Sequence, residues 1–464
     1  MDEGRDIPAL AVRFEATGLV EYAEPDWLLP LCRTPDDPLV EQQWALSRVE
    51  AFAAWDQLPL EPDFPQAIIA VVDAGMTWTH EDLLQQLWIN PGEDLDGDGA
   101  QSPDEIPGDP DDRNGLDDDG NGFVDDFFGW DFVHTTNGAP GEDVLNQDNN
   151  PVSLSPHGTQ VAGLAGARAD NGRGIASLAW NARLMPLRAG YLADDGNSYI
   201  ISTAAAQAIY YATLQGARLI NLSFSGSGTV RTPATAAWNS GVLCLHAASD
   251  MQDQLDLATG IVSVTATSAQ DCAFYCGDWI DLAAPGFDLL TTTNSGYEPI
   301  SGSSFATAMA TSLAALLLAM DPTLDNVGLR GRLLATADPI DDLTCNAGCA
   351  TGAGRINARR ALQNDTGLDR VSVQRQGGSR LDHLWPNPFN PMARVSFHLE
   401  RAGQVRLLVH DLLGREVARP LAGLLAPGWH ELPFDGGALA AGLYLLRLEV
   451  DGQPVDQRKA VLLK

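Results

Sequence analysis

The sequence predicts an α/β protein: a doubly wound parallel sheet followed by a small β-sandwich. Three observations carry this reading. From about residue 34 to 363, short apolar runs alternate with helical stretches rich in small residues. The runs are apolar throughout rather than at every second position, as strands buried on both faces must be. From residue 385 the helical pattern stops, and short strands stand between Gly and Pro turns.

The expected core strands are AIIAVVD (67–73), RLMPLR (183–188), RLINLS (218–223), GVLCLH (241–246) and IVSVTA (261–266). The expected helices are HGTQVAGLAGA (157–167), STAAAQAIYYATLQG (202–216) and SSFATAMATSLAALLLAM (303–320). Such alternation lays helices on both faces of a parallel sheet. Residues 1–33 read as a leader, 364–384 as a polar linker with a Gly-Gly-Ser step, and 385–464 as the sandwich, with strands in VSFHL, VRLLVHD, HELPF and YLLRLEV.

The chain has 464 residues, enough for two or three domains, and 45% hydrophobic residues to build their cores. Its formal net charge of -34 makes nucleic acid and anionic membranes poor partners, since they repel such a surface. The longest apolar run, Phe305 to Met320, is shorter than the ~20 residues of a bilayer span and carries Thr and Ser, so it reads as a buried helix with no membrane span. No signal peptide is visible in MDEGRDIPALAVRF. Cys272 and Cys276 are close neighbours, as are Cys345 and Cys349. This spacing fits disulfides in an oxidising compartment, with a four-Cys zinc site as the rival reading. Cys244, inside an apolar run, reads as a buried inert thiol.

In open α/β sheets reactive groups gather at the carboxyl ends of strands. Asp73 ends the first core strand, His157 opens one helix and Ser304 opens the most apolar one. Singly, each is an ordinary turn or capping residue. Together, with their neighbours, they are not. The segments VVDAG with HEDL close behind, HGTQVAG, NGRGIASLAWNARLMPLR, LINLSFSG, LAAPG (282–286) and GSSFATA carry a resemblance to the subtilisin-like serine proteases over roughly residues 38–363. The resemblance implies that Ser304 is the nucleophile, His157 its general base and Asp73 the group that orients the imidazole, in an enzyme that hydrolyses peptide bonds through an acyl-enzyme. It also implies that Ser223, Phe224, Ser225 and Gly226 pair with an extended peptide by strand addition. Two departures flank the nucleophile: Ser303 stands where the family has Thr, and Ala308 where it has Pro.

A third departure bears on the chemistry. The stretch HAASD ends in Ser249-Asp250, where the family has Gly-Asn. The Asn amide donates to the tetrahedral oxyanion, and an ionised Asp cannot. Three readings stand at this stage: Asp250 is protonated by burial and donates, the enzyme is slow, or the chain is a catalytically impaired protein that keeps the fold for binding.

Between Glu93 and Asp148 the chain is strongly acidic, with Arg113 as its only Lys or Arg. In this insert (91–126), DLDGDGAQSPDE follows the D-x-D-x-D-G-x5-E calcium-loop pattern, making Asp94, Asp96, Asp98 and Glu105 candidate ligands. DDDGNGFVDD offers Asp117, Asp119, Asn121 and Asp125 at the 1, 3, 5, 9 spacing, without an acid at position 12. The bland reading is a solvated acidic loop. The family's common use of structural calcium supports the other.

EYAEPDW resembles the end of the inhibitory propeptide of such proteases, with a cleavage point expected between about Pro30 and Asp37 and with the signal peptide missing from this chain. WPNPFNP (385–391), VRLLVHDLLGREV, GLYLLRLEVDG and RKAVLLK resemble the C-terminal sorting domain of type IX secretion, an immunoglobulin-like sandwich. A generic β-sandwich stalk is the alternative. The resemblances together imply a secreted or cell-surface enzyme acting on proteins or peptides and handled by the secretion machinery.

Overall fold

The computed structural model describes residues 33–58, 66–95, 97, 113–180, 182–340, 350–363, 379–385, 389, 391–410, 415–440 and 442–462. The predicted leader lies almost wholly outside these residues, and the expected cleavage window is described only from Arg33 to Asp37. The chain divides into two compact units, Met1–Thr366 and Gly367–Lys464.

The first unit is built on seven strands: β1 (Ile68–Asp73), β2 (Trp130–Asp131), β3 (Arg183–Arg188), β4 (Leu219–Leu222), β5 (Leu243–Ala247), β6 (Val262–Thr267) and β7 (Leu282–Pro285). Their order is β2-β3-β1-β4-β5-β6-β7, and every pairing is parallel. The principal helices are α1 (His157–Gly166), α2 (Ser202–Leu214), α3 (Gly228–Asn239) and α4 (Ser303–Met320).

The continuous apolar runs follow from burial on both faces. Ile69 and Val71 pack with Val161, Leu164 and the α4 residues Leu313 and Leu317 on one side. Ala70 and Val72 pack with Ala208, Ile209 and Ala234 of α2 and α3 on the other. Two cores thus sandwich one sheet, and an α/β doubly wound fold results. By length and composition α4 is able to cross a membrane, but here 83% of it is buried inside the protein.

The sequence reading missed α3 and the two edge strands β2 and β7. Helix α3 starts on Gly228 and holds Pro233 in its interior, both of which argue against helix locally. Burial of Val230, Ala234 and Ala237 overrides that preference.

β3 ends in Arg188, paired in register with Asp73 and fully buried. Its guanidinium donates to Asp131 Oδ2 at 2.6 Å and to Glu142 Oε1 at 2.8 Å. Burial pushes the Asp131 carboxyl up to about 7, against the pull of Arg188. This buried trio ties β2 and the loop after it to the edge of the sheet.

In the second unit two antiparallel sheets share one apolar core. One contains Arg380–Trp385, Met392–Leu399 and Gly428–Asp435; the other contains Glu416–Leu425, Gly403–His410, Gly442–Val450 and Gln453–Leu462. Val395, Phe397, Leu407 and Leu446 fill the space between them. Its first strand begins at Arg380, inside the stretch that reads as linker from sequence. Phe389 of WPNPFNP is buried in this core, with its ring 5.3 Å from that of Phe434.

Candidate active site

The carboxyl ends of β1 and β4 and the N-terminus of α1 meet at one cleft of about 400 Å³, lined by Asp73, Ala74, His157, Ser198, Tyr199, Ile200, Ser223, Phe224 and Ser225. The start of α4 touches this lining through Ser304 against Ser223 and Phe305 against His157. Asp73 is 2% exposed. Its Oδ1 accepts from the Ala74 N–H at 2.7 Å and contacts His157 Nδ1 at 2.7 Å. His157 opens α1 and can approach this closely because Gly158 follows it. A Cβ at position 158 would sit 2.0 Å from the Gly75 carbonyl oxygen and 3.1 Å from the Asp73 Cβ. The loop before His157 is braced by Asn294, whose carbonyl oxygen accepts from the hydroxyls of Thr77 and Thr159 and whose amide donates to the carbonyls of Ser153 and Leu154.

Burial opposes a charged His157, but the Asp73 carboxylate outweighs it and raises the imidazole above its ordinary 6.5. With His157 as the general base that the sequence resemblance implies, the acid limb of kcat/KM is expected above pH 6.5, because only the neutral ring can accept a proton. Asp73→Asn removes the raising influence and leaves burial, so the limb moves to lower pH while the rate falls about 10⁴-fold. A pH profile of kcat/KM checks this, and an unmoved limb would contradict it.

Ser304 lies in the first turn of α4, where backbone N–H groups have no partner within the helix. In this structure its hydroxyl donates to the Ser223 carbonyl at 3.2 Å, and the Ser223 hydroxyl donates back to the Ser304 carbonyl at 3.0 Å. Behind them Asn221 donates to the Ser223 hydroxyl at 2.8 Å and accepts from Thr311 at 3.0 Å. Asn221 and Thr311 are fully buried polar residues. The sequence reading passed over both, although an Asn inside the apolar run LINL was the available signal.

The expected substrate edge runs from the end of β4 into α3. Ser223, Phe224 and Ser225 line the cleft, and the Gly226 N–H is held by the Asp253 carboxylate at 2.6 Å.

Residues 65–370 match the Subtilase family. The chain belongs to the subtilase family. Among its relatives, the thermophilic serine proteinase of Bacillus sp. (strain AK1) is 29% identical over 77% of this chain and 76% of that protein. Halolysin of Haloferax mediterranei is 31% identical over 75% of this chain and 58% of its own length. Thermitase of Thermoactinomyces vulgaris is 28% identical over 71% of this chain and 99% of that protein. A solved structure among the proteases from Pseudoalteromonas arctica PAMC 21717 superposes with a TM-score of 0.53 at 22% identity, covering 71% of this chain and 99% of that one, which is a likeness of fold.

In this subtilase β5 ends at Ala247, and Asp250 stands three residues beyond it, exposed to solvent. Burial was the reason to expect a protonated Asp250, and the turn of the chain toward solvent removes it. The zinc reading of the cysteines is also corrected: Cys272 and Cys276 are disulfide-bonded. Cys345 and Cys349 lie outside the described residues. Cys244 is a free buried thiol, pushed up to about 12 by burial.

Of the predicted calcium ligands, Asp96, Asp98 and Glu105 lie outside the described residues, and Asp94 accepts from the Gly97 N–H at 3.1 Å. Asp117 accepts from the N–H groups of Asn121 and Gly122, and Asp125 from that of Gly115. Asp119 is drawn elsewhere. It meets Glu93 and Asp126 with ligand oxygens all within 4.8 Å of one another. Asn121 donates from its side chain to Asp119 and Asp126, and Tyr211 donates to Asp126. Glu93 is fully buried; its Oε1 accepts from two backbone N–H groups, while its Oε2 is buried without a partner. Burial pushes the Glu93 carboxyl up to about 7 and also raises Asp126. An orphaned carboxylate oxygen facing two more carboxylates fits a hard cation such as calcium, which takes oxygen ligands. Sequence spacing could not find Glu93 and Asp126, because folding rather than a local loop pattern brings them to Asp119.

Proposed function

We propose that this subtilase is a secreted serine endopeptidase in which Ser304 is the nucleophile, His157 the general base and Asp73 the residue that fixes the imidazole tautomer. The observation that carries the reading is the 2.7 Å contact of His157 Nδ1 with buried Asp73, with the Ser304 helix opening on the same site. Asp73 accepts the Nδ1 proton, so Nε2 is left to take the Ser304 proton as Oγ attacks the scissile carbonyl carbon. The tetrahedral intermediate expels the amine, which takes that proton from His157. Water then repeats the sequence on the acyl-enzyme. The Ser304 N–H stabilises the oxyanion, and exposed Asp250 contributes no donor when ionised, so the enzyme is slow for its family. Residues 223–226 bind the extended substrate.

The test is hydrolysis of denatured casein from pH 5 to 9 in about 1 mM Ca²⁺, parent against Ser304→Ala. Turnover that is absent from the parent and from Asp250→Asn alike would favour the catalytically silent binding protein.

Calcium is proposed at Glu93, Asp119 and Asp126, where it braces the insert against local unfolding. In EGTA, Glu93 holds its proton more tightly folded than unfolded. Its contribution to stability is thus present below about pH 4.5 and is lost as pH rises to about 7. The melting temperature in EGTA is expected to fall across that window. Calcium is expected to lessen the fall, and Glu93→Gln to reduce it to the part that Asp131, also raised to about 7, contributes, while losing most of the calcium response. Calorimetry at pH 5 and 7.5 checks all three.

The peptidase domain is assigned to 34–363, and the second unit, from its first strand at Arg380 onward, to an immunoglobulin-like sorting domain for type IX secretion, so the linker ends before 380 rather than at 384. Two antiparallel sheets around one core, with Phe389 of WPNPFNP inside it, support the assignment. The extracellular protease of Xanthomonas campestris pv. campestris, 28% identical over 74% of this chain, supports export.

A further inference from the structure

A second cluster lies behind the wall of the cleft. His246, on β5, is fully buried, and neither ring nitrogen has a hydrogen-bond partner. Its Nε2 faces two carboxylates, Asp253 Oδ2 at 3.3 Å and Asp256 Oδ1 at 3.6 Å. The two acids come from the turn between β5 and β6, and the three ligand atoms lie within 4.8 Å of one another. The Asp256 side chain is fully buried and that of Asp253 is 15% exposed. Among the described residues no Arg or Lys pairs with either acid. The nearby Arg330 is committed to Asp281 at 2.7 Å. Two buried carboxylates against one imidazole leave negative charge that a single imidazolium cannot fully balance.

The remaining bonds hold the carboxylates in place. Asp256 Oδ1 accepts from the Ser263 hydroxyl at 2.5 Å, and Asp253 Oδ1 from the Leu255 N–H at 2.7 Å. Such outer partners orient ligands in metal sites.

We propose that His246, Asp253 and Asp256 form a binding site for a divalent transition-metal ion of the zinc class. One nitrogen and two oxygen donors suit zinc, cobalt or nickel, whereas calcium and magnesium take oxygen alone. The site is separate from the Glu93 cluster and needs no turnover to be detected. It has a route to the substrate, since Asp253 Oδ2 also accepts from the Gly226 N–H at 2.6 Å. An ion drawing on this carboxylate fixes the segment that the proposed function assigns to peptide binding.

The experiment uses the full chain, stripped with EDTA, returned to calcium to fill oxygen-only sites, and titrated with Co²⁺ alone. The expected result is a visible d–d absorption band that saturates at one equivalent. His246→Asn is expected to weaken Co²⁺ binding at least about 10-fold, since loss of even an outer partner has that effect. Glu93→Gln is expected to leave the band intact. No saturable band in the parent overturns the proposal, and leaves His246 as a packing partner of the two acids. So does a band that survives in both His246→Asn and Asp256→Asn. The parent titration decides the matter even if a variant does not fold.

Discussion

Ser304→Ala is expected to lower turnover of denatured casein by about 10⁴–10⁶-fold while leaving the fold intact. The size follows from the chemistry. In the proposed mechanism the hydroxyl is the only group that bonds covalently to substrate, and removal of the nucleophile alone costs about as much as removal of the whole triad. What remains is binding in the cleft and whatever oxyanion stabilisation the backbone supplies. The change removes one oxygen from a residue of intermediate exposure. It deletes the 3.2 Å bond to the Ser223 carbonyl but keeps the reciprocal bond from Ser223 to the backbone of residue 304. Circular dichroism and the melting temperature should therefore stay close to those of the parent. A variant that keeps more than a few per cent of the parent rate would show that the hydrolysis arises elsewhere.

Asp250→Asn is expected to act in the opposite direction and raise kcat by about 10²–10³-fold, the worth of one oxyanion donor. The substitution is nearly isosteric. It exchanges a group that repels the developing negative charge for an amide able to donate to it. KM should change little, because the gain arises only when the carbonyl becomes tetrahedral. The acid is exposed, so its replacement should also leave stability nearly unchanged. Single-turnover rates on a chromogenic peptide amide separate the chemical step from binding. If Asn gives no gain, the loop at 248–251 does not present residue 250 to the oxyanion, and the backbone donors act without it.

The parts of the molecule that the sequence made legible are those governed by local pattern. The five expected core strands and three expected helices are all present, because burial on both faces writes itself as unbroken apolar runs. Asp73 and His157 could be assigned to strand end and helix start for the same reason. What escaped depends on contacts distant in the chain. α3 forms despite Pro233, and Glu93 reaches Asp119 and Asp126 across an insert whose visible motif suggests other partners. One reading of Asp250 needed it buried, but the chain leaves the sheet at Ala247 and Asp250 is exposed. No pattern of residue types distinguishes an acid just inside that point from one just outside it.

The chain of bonds from Thr311 through Asn221 and Ser223 to Ser304 has a consequence for how variation in this protein is interpreted. Thr311 lies eight residues past the start of α4 and is buried. A change there alters no surface that a peptide meets, yet it loosens the Ser223 hydroxyl that holds the Ser304 backbone, and with it the proposed nucleophile. Loss of turnover is thus a poor guide to where a substitution lies. In this molecule a genetic screen for inactive alleles is expected to return deep interior positions such as 221 and 311 alongside the cleft.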